Sequence, residues 1–430
     1  MAASRRRWAG LLLVLLAAPA LAATDVYIKL AGQGGDARLP LGLAPFVAEE
    51  PAKAEQALVA KQLHDVTRSD LLLSRYFNLV EDGPAFTGAN AKDILGDWKA
   101  KSAGWLLAVK ASSNAGQLTL SAQLLDASSG EVLFERFYRQ DERYLRSLAH
   151  KLSDDVVRQL TGKKGIADSL IAFSVGKNGA KEIYLADYDG ADVRQLTRHG
   201  SISILPRLSP DRKSIAYTTY KDGNPDLFLL DLQKGQSRPL STDQGLNVAG
   251  GFSPDGSQIL MTLSRQKSPN IYVKSLTDGG VTRLTQHFGA DSSPTFSPDA
   301  QQVAFVSDRA GNPEIYVLDM TTRRAKRLTA LNWCDSPSWS PTGEWIAFAG
   351  RANPKDHLDI YLVDITGGQI RQLTHGEGSN ENPAWSPDGR FLAFTSTRDG
   401  RPELFVMDAD GSAPHRLVEL PGNAGTPDWR

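Results

Sequence analysis

The chain has little of the chemistry that marks many enzyme classes. Cys334 is its one cysteine, which excludes an intramolecular disulfide and a metal site built from several cysteines. Its seven histidines are scattered over 430 residues, and it has neither a phosphate-binding glycine loop nor the Gly-x-Ser-x-Gly turn of serine hydrolases. The net charge of −1 gives no reason to expect nucleic acid as a partner. The sequence therefore predicts no cofactor, no metal and no catalytic residue.

Long apolar runs are also missing, apart from one near the first residue. Three arginines at positions 5–7 precede the apolar stretch Trp8–Leu16, and Ala20-Leu-Ala22 has the small-x-small pattern of a signal peptidase site. The stretch is shorter than the roughly 20 residues that a membrane-spanning helix needs. We predict a signal peptide over 1–22, cleaved near Ala22, and an exported protein that is not inserted in the membrane. An uncleaved anchor is the alternative.

Residues 23–162 mix helical and strand patterns. The first of them, 23–36, are glycine-rich towards their end and predict a flexible segment. Residues 37–162 predict a small α+β domain with helices over 54–74, 91–101 and 145–160, the last with leucine and valine at intervals of three or four. Strands are predicted at 41–47, 76–80, 105–111, 118–124 and 132–138. Asp141 is the expected N-cap of the third helix, and Gly162 is expected just after its end.

From residue 166 onward only strand patterns remain, and they repeat. The copies of one phrase are Leu208-Ser-Pro-Asp-Arg, Phe252-Ser-Pro-Asp-Gly, Phe296-Ser-Pro-Asp-Ala, Trp339-Ser-Pro-Thr-Gly and Trp385-Ser-Pro-Asp-Gly. Their first residues are 44, 44, 43 and 46 positions apart, which is the period of a β-propeller blade of four strands. Six third strands like Ile315-Tyr-Val and six fourth strands like Arg327-Leu-Thr predict an all-β, six-bladed propeller over 166–430.

Turn chemistry explains the repeated phrase and predicts two exceptions. Proline presets φ at the first central position of the turn, and glycine accepts a positive φ at its exit. Arg212 and Ala300 replace that glycine, so we expect strained turns there. The first blade lacks its own aromatic–Ser–Pro strand, and Thr426-Pro-Asp-Trp429 matches the missing piece. We predict that this C-terminal strand completes the first blade and closes the ring.

An export signal, a small α+β domain and six such blades, in this order, resemble the TolB family of the Tol–Pal system. Pro40-Leu-Gly-Leu-Ala-Pro-Phe46, Tyr188-Asp-Gly190 and Pro427-Asp-Trp429 also fit the family. The resemblance implies a monomeric, non-enzymatic scaffold in the periplasm. It implies a link between the outer-membrane lipoprotein Pal and the inner-membrane protein TolA. Such a link maintains outer-membrane integrity and supports invagination of that membrane during cell division.

The resemblance also implies where the two partners bind. The residues implied for Pal lie just before the aromatic strands, at the propeller mouth, and are Asn247, Ala249, Ser292, Ser293, Asp335 and Asn382. The residues implied for TolA lie in the N-terminal segment and are Thr24, Asp25, Val26, Tyr27 and Ile28.

One alternative function stays open, a propeller hydrolase or lyase acting on envelope sugars or peptides. It would need acidic and histidine side chains that converge at the mouth. The loops there contain Asp291, Asp335, Glu377 and Glu381, and also His199, His287 and His375.

The turns Asp187–Gly190 and Asp408–Gly411 resemble the start of a calcium loop but lack its glutamate at the twelfth position, so we interpret them as hairpin turns.

Overall fold

The computed structural model describes residues 38–87, 91–266 and 268–430. The predicted signal peptide and the predicted N-terminal segment lie outside these residues. Within the described ranges, no helix has both the length and the apolar composition that crossing a membrane requires.

The first domain is a mixed sheet with helices on both faces, which confirms the predicted α+β class. Its strands are β1 (Leu39–Leu43), β2 (Val47–Ala48), β3 (Phe77–Val80), β4 (Trp105–Asn114), β5 (Gln117–Asp126) and β6 (Val132–Asp141). Its helices are α1 (Ala54–Leu73), α2 (Ala91–Ala100) and α3 (Leu145–Thr161). The strand order is β3-β1-β4-β5-β6, with β2 beside β4. Strand β1 runs parallel to both neighbours, whereas β4, β5 and β6 form an antiparallel meander.

The helices cover the sheet because each presents an apolar stripe. Leu63 of α1 and Leu152 and Val156 of α3 are fully buried against one face. Each such side chain contributes about 2 kcal/mol by leaving water. Trp98 of α2 is buried on the other face, where its indole N–H donates to the carbonyl of Pro84 (3.2 Å).

The predicted N-cap of the third helix was wrong, although its predicted start at residue 145 agrees with the structure. The carboxylate of Asp141 accepts the backbone N–H of Arg143 and so caps a 3₁₀ turn, Glu142–Tyr144, which precedes α3. Because this turn intervenes, α3 begins three residues later and its own N-cap, Tyr144, makes no side-chain cap. Gly162 ends α3 with a left-handed φ of 69°, the conformation for which glycine is preferred.

Six four-stranded antiparallel sheets follow, which confirms the six-bladed propeller. Blade 1 contains β7 (Leu170–Lys177), β8 (Ala180–Asp187) and β9 (Arg194–Gln195); blade 2 contains β10 (Ser203–Leu208), β11 (Ser214–Thr219), β12 (Asp226–Asp231) and β13 (Gln236–Ser241). Blade 3 contains β14 (Asn247–Phe252), β15 (Gln258–Gln266), β16 (Ser268–Ser275) and β17 (Val281–Arg283); blade 4 contains β18 (Asp291–Phe296), β19 (Gln302–Ser307), β20 (Glu314–Asp319) and β21 (Ala325–Arg327). Blade 5 contains β22 (Trp333–Trp339), β23 (Trp345–Arg351), β24 (Asp359–Asp364) and β25 (Ile370–Gln372); blade 6 contains β26 (Asn380–Trp385), β27 (Phe391–Ser396), β28 (Glu403–Asp408) and β29 (His415–Arg416).

The last strand, β30 (Asn423–Trp429), joins blade 1 as its innermost strand beside β7. Backbone hydrogen bonds of 2.7 and 2.9 Å connect Leu170 and Arg430 in both directions. The indole N–H of Trp429 donates to Ser169 (2.8 Å) inside the hydrophobic core between blades 1 and 6. The predicted closure by the C-terminal strand is therefore confirmed.

The Ser-Pro-Asp phrase forms the turn between the first two strands of a blade. In blades 4 and 6 the serine hydroxyl donates to the aspartate two residues later (Ser297 to Asp299 and Ser386 to Asp388, both 2.6 Å). Arg212 and Ala300 adopt φ values of 57° and 58°, so the strain expected from the missing glycine is present.

Alternating strand directions give the propeller two faces. We call the side that carries the turns after the first and third strands of each blade the domain face. The opposite side carries the loops that lead from one blade to the next, and we call it the mouth face. The N-terminal domain packs on the domain face: Arg390, in the first turn of blade 6, donates to the carbonyl of Ser74 (2.7 Å) and lies over the ring of Tyr76.

A buried polar cluster holds the two domains together. We call it the interdomain cluster, and its members are Asp70, Arg146, His150, Asp187, Tyr188 and Asp189. His150 lies between Asp70 (2.9 Å) and Asp187 (3.4 Å), while Arg146 donates to Asp187 (3.0 Å) and Asp189 (2.7 Å). Burial opposes a charge on His150, but its hydrogen bonds to Asp187 and Asp70 outweigh this and raise its pKa to about 9. The turn Asp187–Gly190 therefore binds the N-terminal domain through its two carboxylates.

Candidate functional site

The innermost strands of the six blades surround a central channel, and each is interrupted by a β-bulge. The pairing register shifts in all six, for example between Ser292 and Thr295 of β18 and between Glu381 and Ala384 of β26. A bulge bends a strand and turns the extra residue away from the ladder. Here the bulges occur at the same level, so they present a circle of side chains near the axis.

Five of these bulges contain a residue in the left-handed region, and we call these five the bulge ring. They are Leu205, Ser293, Ser336, Asn382 and Thr426, with φ between 52° and 54°. A side chain in this region costs on the order of 1–3 kcal/mol, and proline, which follows each of the five, further restricts the preceding residue. Blade 3 differs, because Ala249 is followed by Gly250 and does not adopt this conformation. Such repeated strain is typical of a functional surface.

Polar side chains connect neighbouring blades within the bulge ring. The hydroxyl of Ser336 donates to the amide oxygen of Asn382 (3.2 Å), and that of Ser293 approaches Asp335 (3.4 Å). Within blade 1, the hydroxyls of Thr426 and Ser174 form a hydrogen bond of 3.0 Å. These bonds fix the orientation of small polar groups around the mouth of the channel.

Asp335 has an unusual environment beside the ring. Burial raises its pKa, the backbone N–H of Ser336 (2.6 Å) and the hydroxyl of Ser293 lower it, and the negative charge of Glu381 raises it. Glu381 occupies the equivalent position in the next blade and accepts from Ser379 (2.7 Å). The mouth is thus weakly acidic on the side of blades 5 and 6.

The structure brings four of the six predicted Pal residues to the mouth as partly accessible side chains. These are Ser292, Ser293, Asp335 and Asn382. Ala249 is buried, with 2% of its surface exposed. Asn247 is fully buried, and its side chain accepts from Ser241 (2.6 Å) and donates to the carbonyls of Asp243 (2.6 Å) and Gly245 (3.0 Å). Asn247 therefore shapes its own loop.

Large apolar side chains are also exposed on the mouth face in three successive interblade loops and at the first residue of β22, a feature that the sequence analysis missed. They are Ile202, Leu246, Phe288 and Trp333, and Phe288 is 90% exposed. The guanidinium of Arg351 lies 5.5 Å from the ring of Trp333. The signal was available, since each residue interrupts a loop of otherwise small and polar residues, but only the closed ring shows that the four share one face. A large aromatic side chain as exposed as Phe288 is a feature of surfaces that bind proteins.

Two of the four acidic residues considered for catalysis are held in ion pairs with arginines. Asp291 is fully buried and both of its oxygens accept from Arg309 (2.9 and 3.0 Å), and Glu377 pairs with Arg398 (3.1 Å). His199 stacks on Tyr217, and burial lowers its pKa. Over the described part of the chain, no group of three or more His, Cys, Asp or Glu side chains could hold a metal ion. The predicted TolA residues Thr24, Asp25, Val26, Tyr27 and Ile28 lie outside the described residues.

Family models match almost the whole length of the chain. The model described as the TolB beta propeller domain matches residues 157–354 and 330–429, and the model of the TolB amino-terminal domain matches residues 27–133.

Individual relatives agree with the family models. The Tol-Pal system protein TolB of Geobacter sulfurreducens is 35% identical over 211 residues, which cover 47% of this chain and 48% of that protein. The TolB homolog of Chlorobium chlorochromatii is 50% identical over 100 residues, 23% of each chain. The chain thus spans about half or less of the length of these curated relatives. The crystal structure of TolB from Acinetobacter baumannii aligns with a TM-score of 0.77 at 26% identity, over 92% of this chain and 97% of that one.

Proposed function

This chain belongs to the TolB family, and we propose that it is a non-enzymatic, periplasmic binding scaffold of the Tol–Pal system. In this proposal the mouth face binds Pal and the N-terminal segment binds TolA, so that the protein links the outer membrane to the inner membrane. This link maintains outer-membrane integrity and supports constriction of that membrane at division. Two curated relatives carry the name of the Tol-Pal system, and the predicted signal peptide agrees with export.

The exposure of large apolar residues on the mouth face, Phe288 above all, is the observation that carries this proposal. Protein-binding surfaces combine a few large anchors with small, satisfied polar groups. Phe288 and Trp333 have the size of such anchors, and Ser292, Ser293 and Asn382 are small polar groups that are partly accessible on the same face. In the proposal Asn247 and Ala249 contribute indirectly, by holding in place the loop that carries Leu246.

Pal binding is tested by calorimetry with the mature chain and purified Pal from the same organism. Ser292→Trp fills the mouth with a large side chain and should weaken binding at least about tenfold. The matched control is Thr322→Trp, in an exposed turn of the domain face, which should leave the affinity within about twofold of wild type. Wild-type affinity of Ser292→Trp, or no binding of Pal by the folded wild type, would contradict the proposal.

TolA binding is tested by deleting residues 23–34, which contain Thr24, Asp25, Val26, Tyr27 and Ile28. The deletion should abolish binding of the purified periplasmic part of TolA while leaving Pal binding intact. Loss of both interactions in a chain with an unchanged melting temperature would refute the division of roles between segment and mouth.

A further inference from the structure

Below the bulge ring, the central channel widens into a cavity of about 440 Å³. Its upper edge is formed by Ser336, Asn382 and Thr426 of the ring, and its lower edge by the prolines of the Ser-Pro turns. Lys164, from the linker between the two domains, also lines it, which places the cavity on the domain side. Its volume lies within the range of pockets that bind small molecules.

The charged side chains of the cavity wall are predominantly basic. Its charged side chains among the described residues are Lys164, Arg207, Arg430 and Asp428. The one acidic side chain among them, Asp428, already accepts a hydrogen bond from the backbone N–H of Leu208 (2.7 Å). The remaining wall carries serine and threonine hydroxyls, including Thr295 and Ser338.

Arg207 is the long side chain in this wall. It occupies the position just before the lead residue of the repeat, where the other blades have Gly251, Thr295, Ser338, Ala384 and Asp428. One large cation therefore faces several small residues, and the space between them is the cavity.

The protein satisfies only a small part of this guanidinium. Among the described residues its one hydrogen bond is to the carbonyl of Pro206 (3.1 Å), although a guanidinium has five N–H donors. Arg309, by contrast, donates to both oxygens of Asp291 at 2.9 and 3.0 Å. Burial lowers the pKa of Arg207, Asp428 raises it and the positive charge of Arg430 lowers it. Arg207 is half-buried in the channel wall, so most of its N–H donors remain available to an anion that enters the cavity.

We propose that the channel below the bulge ring contains a binding site for an oxyanion, a carboxylate or a phosphate, held by the Arg207 guanidinium. Arginine matches both groups with paired N–H donors. Lys164 and Arg430 add positive charge, and the Thr295 and Ser338 hydroxyls line the same space. The cavity shares Asn382 with the surface proposed for Pal, but Arg207, Lys164 and Arg430 are not part of that surface, so the site does not rest on Pal binding.

The test is a titration of the mature chain with sodium phosphate and with succinate at constant ionic strength, followed by melting temperature and calorimetry. Both probes should raise the melting temperature of the wild type as their concentration increases. Arg207→Met should weaken binding of both at least about tenfold. Arg207→Lys keeps the charge but loses the paired donors, so its affinity for both probes should lie between those of wild type and Arg207→Met. The matched control is Arg238→Met in β13 of the same blade, an exposed arginine, which should bind like wild type.

Two results would overturn the site. One is wild-type binding by Arg207→Met, and the other is the lack of any effect of either probe on the wild type at concentrations on the order of tens of millimolar. Without ligand, Arg207→Met should melt within about 2 °C of wild type, since the substitution removes a half-buried side chain with one hydrogen bond, to the carbonyl of Pro206. If it fails to fold, Arg207→Lys decides, because unchanged binding of both probes by that variant contradicts a site built on paired donors.

A third probe identifies the source of the oxyanion. A tripeptide with a free C-terminal carboxylate is compared with the same peptide as its amide. Binding of the free acid tighter than succinate, and not of the amide, supports a peptide end as the occupant. Preference for phosphate or succinate supports a free small ion. Either result supports the site at Arg207.

Discussion

The mouth face and the domain face of the propeller are made from opposite ends of the same strands, yet they use their side chains differently. On the domain face, the turns satisfy themselves through serine–aspartate hydrogen bonds or pair with the N-terminal domain, as Asp187 and Asp189 do with Arg146. On the mouth face, Phe288 is 90% exposed, whereas Ile365, the most exposed large apolar side chain in the described turns of the domain face, is 43% exposed. The comparison teaches that the repeat stabilises one face and leaves the other available for a partner.

Removing the closing strand should have the largest effect, because both faces depend on the ring. Deletion of residues 424–430 exposes the edge of β7 and removes Trp429 from the core. We expect a loss of at least about 4 kcal/mol and a melting temperature lower by about 5 °C or more. Scanning calorimetry measures the change. Deletion of residues 23–34 is the control, and a similar melting temperature for both truncated chains would contradict the role of β30 in closure.

Replacing an apolar residue on the mouth face should affect binding but not stability. Phe288→Ala removes a ring that is 90% exposed, and we expect about tenfold weaker binding of Pal with an unchanged melting temperature. Phe137→Ala, which removes a ring that is 75% exposed on β6, is the matched control and should not change Pal affinity. Equal losses in the two variants, measured by calorimetry, would remove the distinction between an apolar contact at the mouth and general surface effects.

The stability of the protein should depend on pH through His150, which lies where the N-terminal domain meets the domain face. Its pKa is raised in the folded state to about 9, so the stabilisation is fully present below about 6.5 and is lost as the pH rises towards 9. We expect the free energy of unfolding to fall by on the order of 1–3 kcal/mol over this interval, and His150→Gln to remove most of this dependence. Urea unfolding at several pH values measures it. His375→Gln, on the mouth face, should behave like wild type; a pH dependence retained in His150→Gln would contradict the assignment.

The smallest expected effect concerns a turn of the domain face. Ala300→Gly relieves a φ of 58° in the turn of blade 4 and should stabilise the protein by about 0.5–1 kcal/mol. Gly389→Ala introduces the converse strain at a φ of 73° in blade 6 and should destabilise it by a similar amount or more. Urea midpoints of the two variants should therefore move in opposite directions, and a shift of both in the same direction would show that φ at this position does not control stability.

The fold could be predicted because its signals are local and repeated. The aromatic–Ser–Pro–Asp phrase specifies a turn from four adjacent residues, and its partial copy at Trp429 specified closure. The strain at Leu205 and Asn382 could not be predicted, because a bulge depends on the register with the neighbouring strand. The contact of His150 with Asp187 was equally inaccessible, since it depends on how the two domains pack. The position of Arg207 in the channel was inaccessible because it depends on the closed ring. The predicted mouth position of Asn382 was accessible from the repeat alone.

Closure by β30 also has a consequence for the order of events in folding. The hydroxyl of Ser174 in β7 donates to the carbonyl of Gly425 in β30 across 251 positions of sequence, whereas blades 2 to 6 each form from a continuous stretch of chain. Five blades can therefore form as the chain emerges, while the first waits with an unpaired edge until the final strand arrives. This long-range step carries a large loop-closure entropy and should be the slow phase of refolding. The blade that is begun first is thus the last to be completed, and an incomplete chain is left with an open edge that can pair with another molecule.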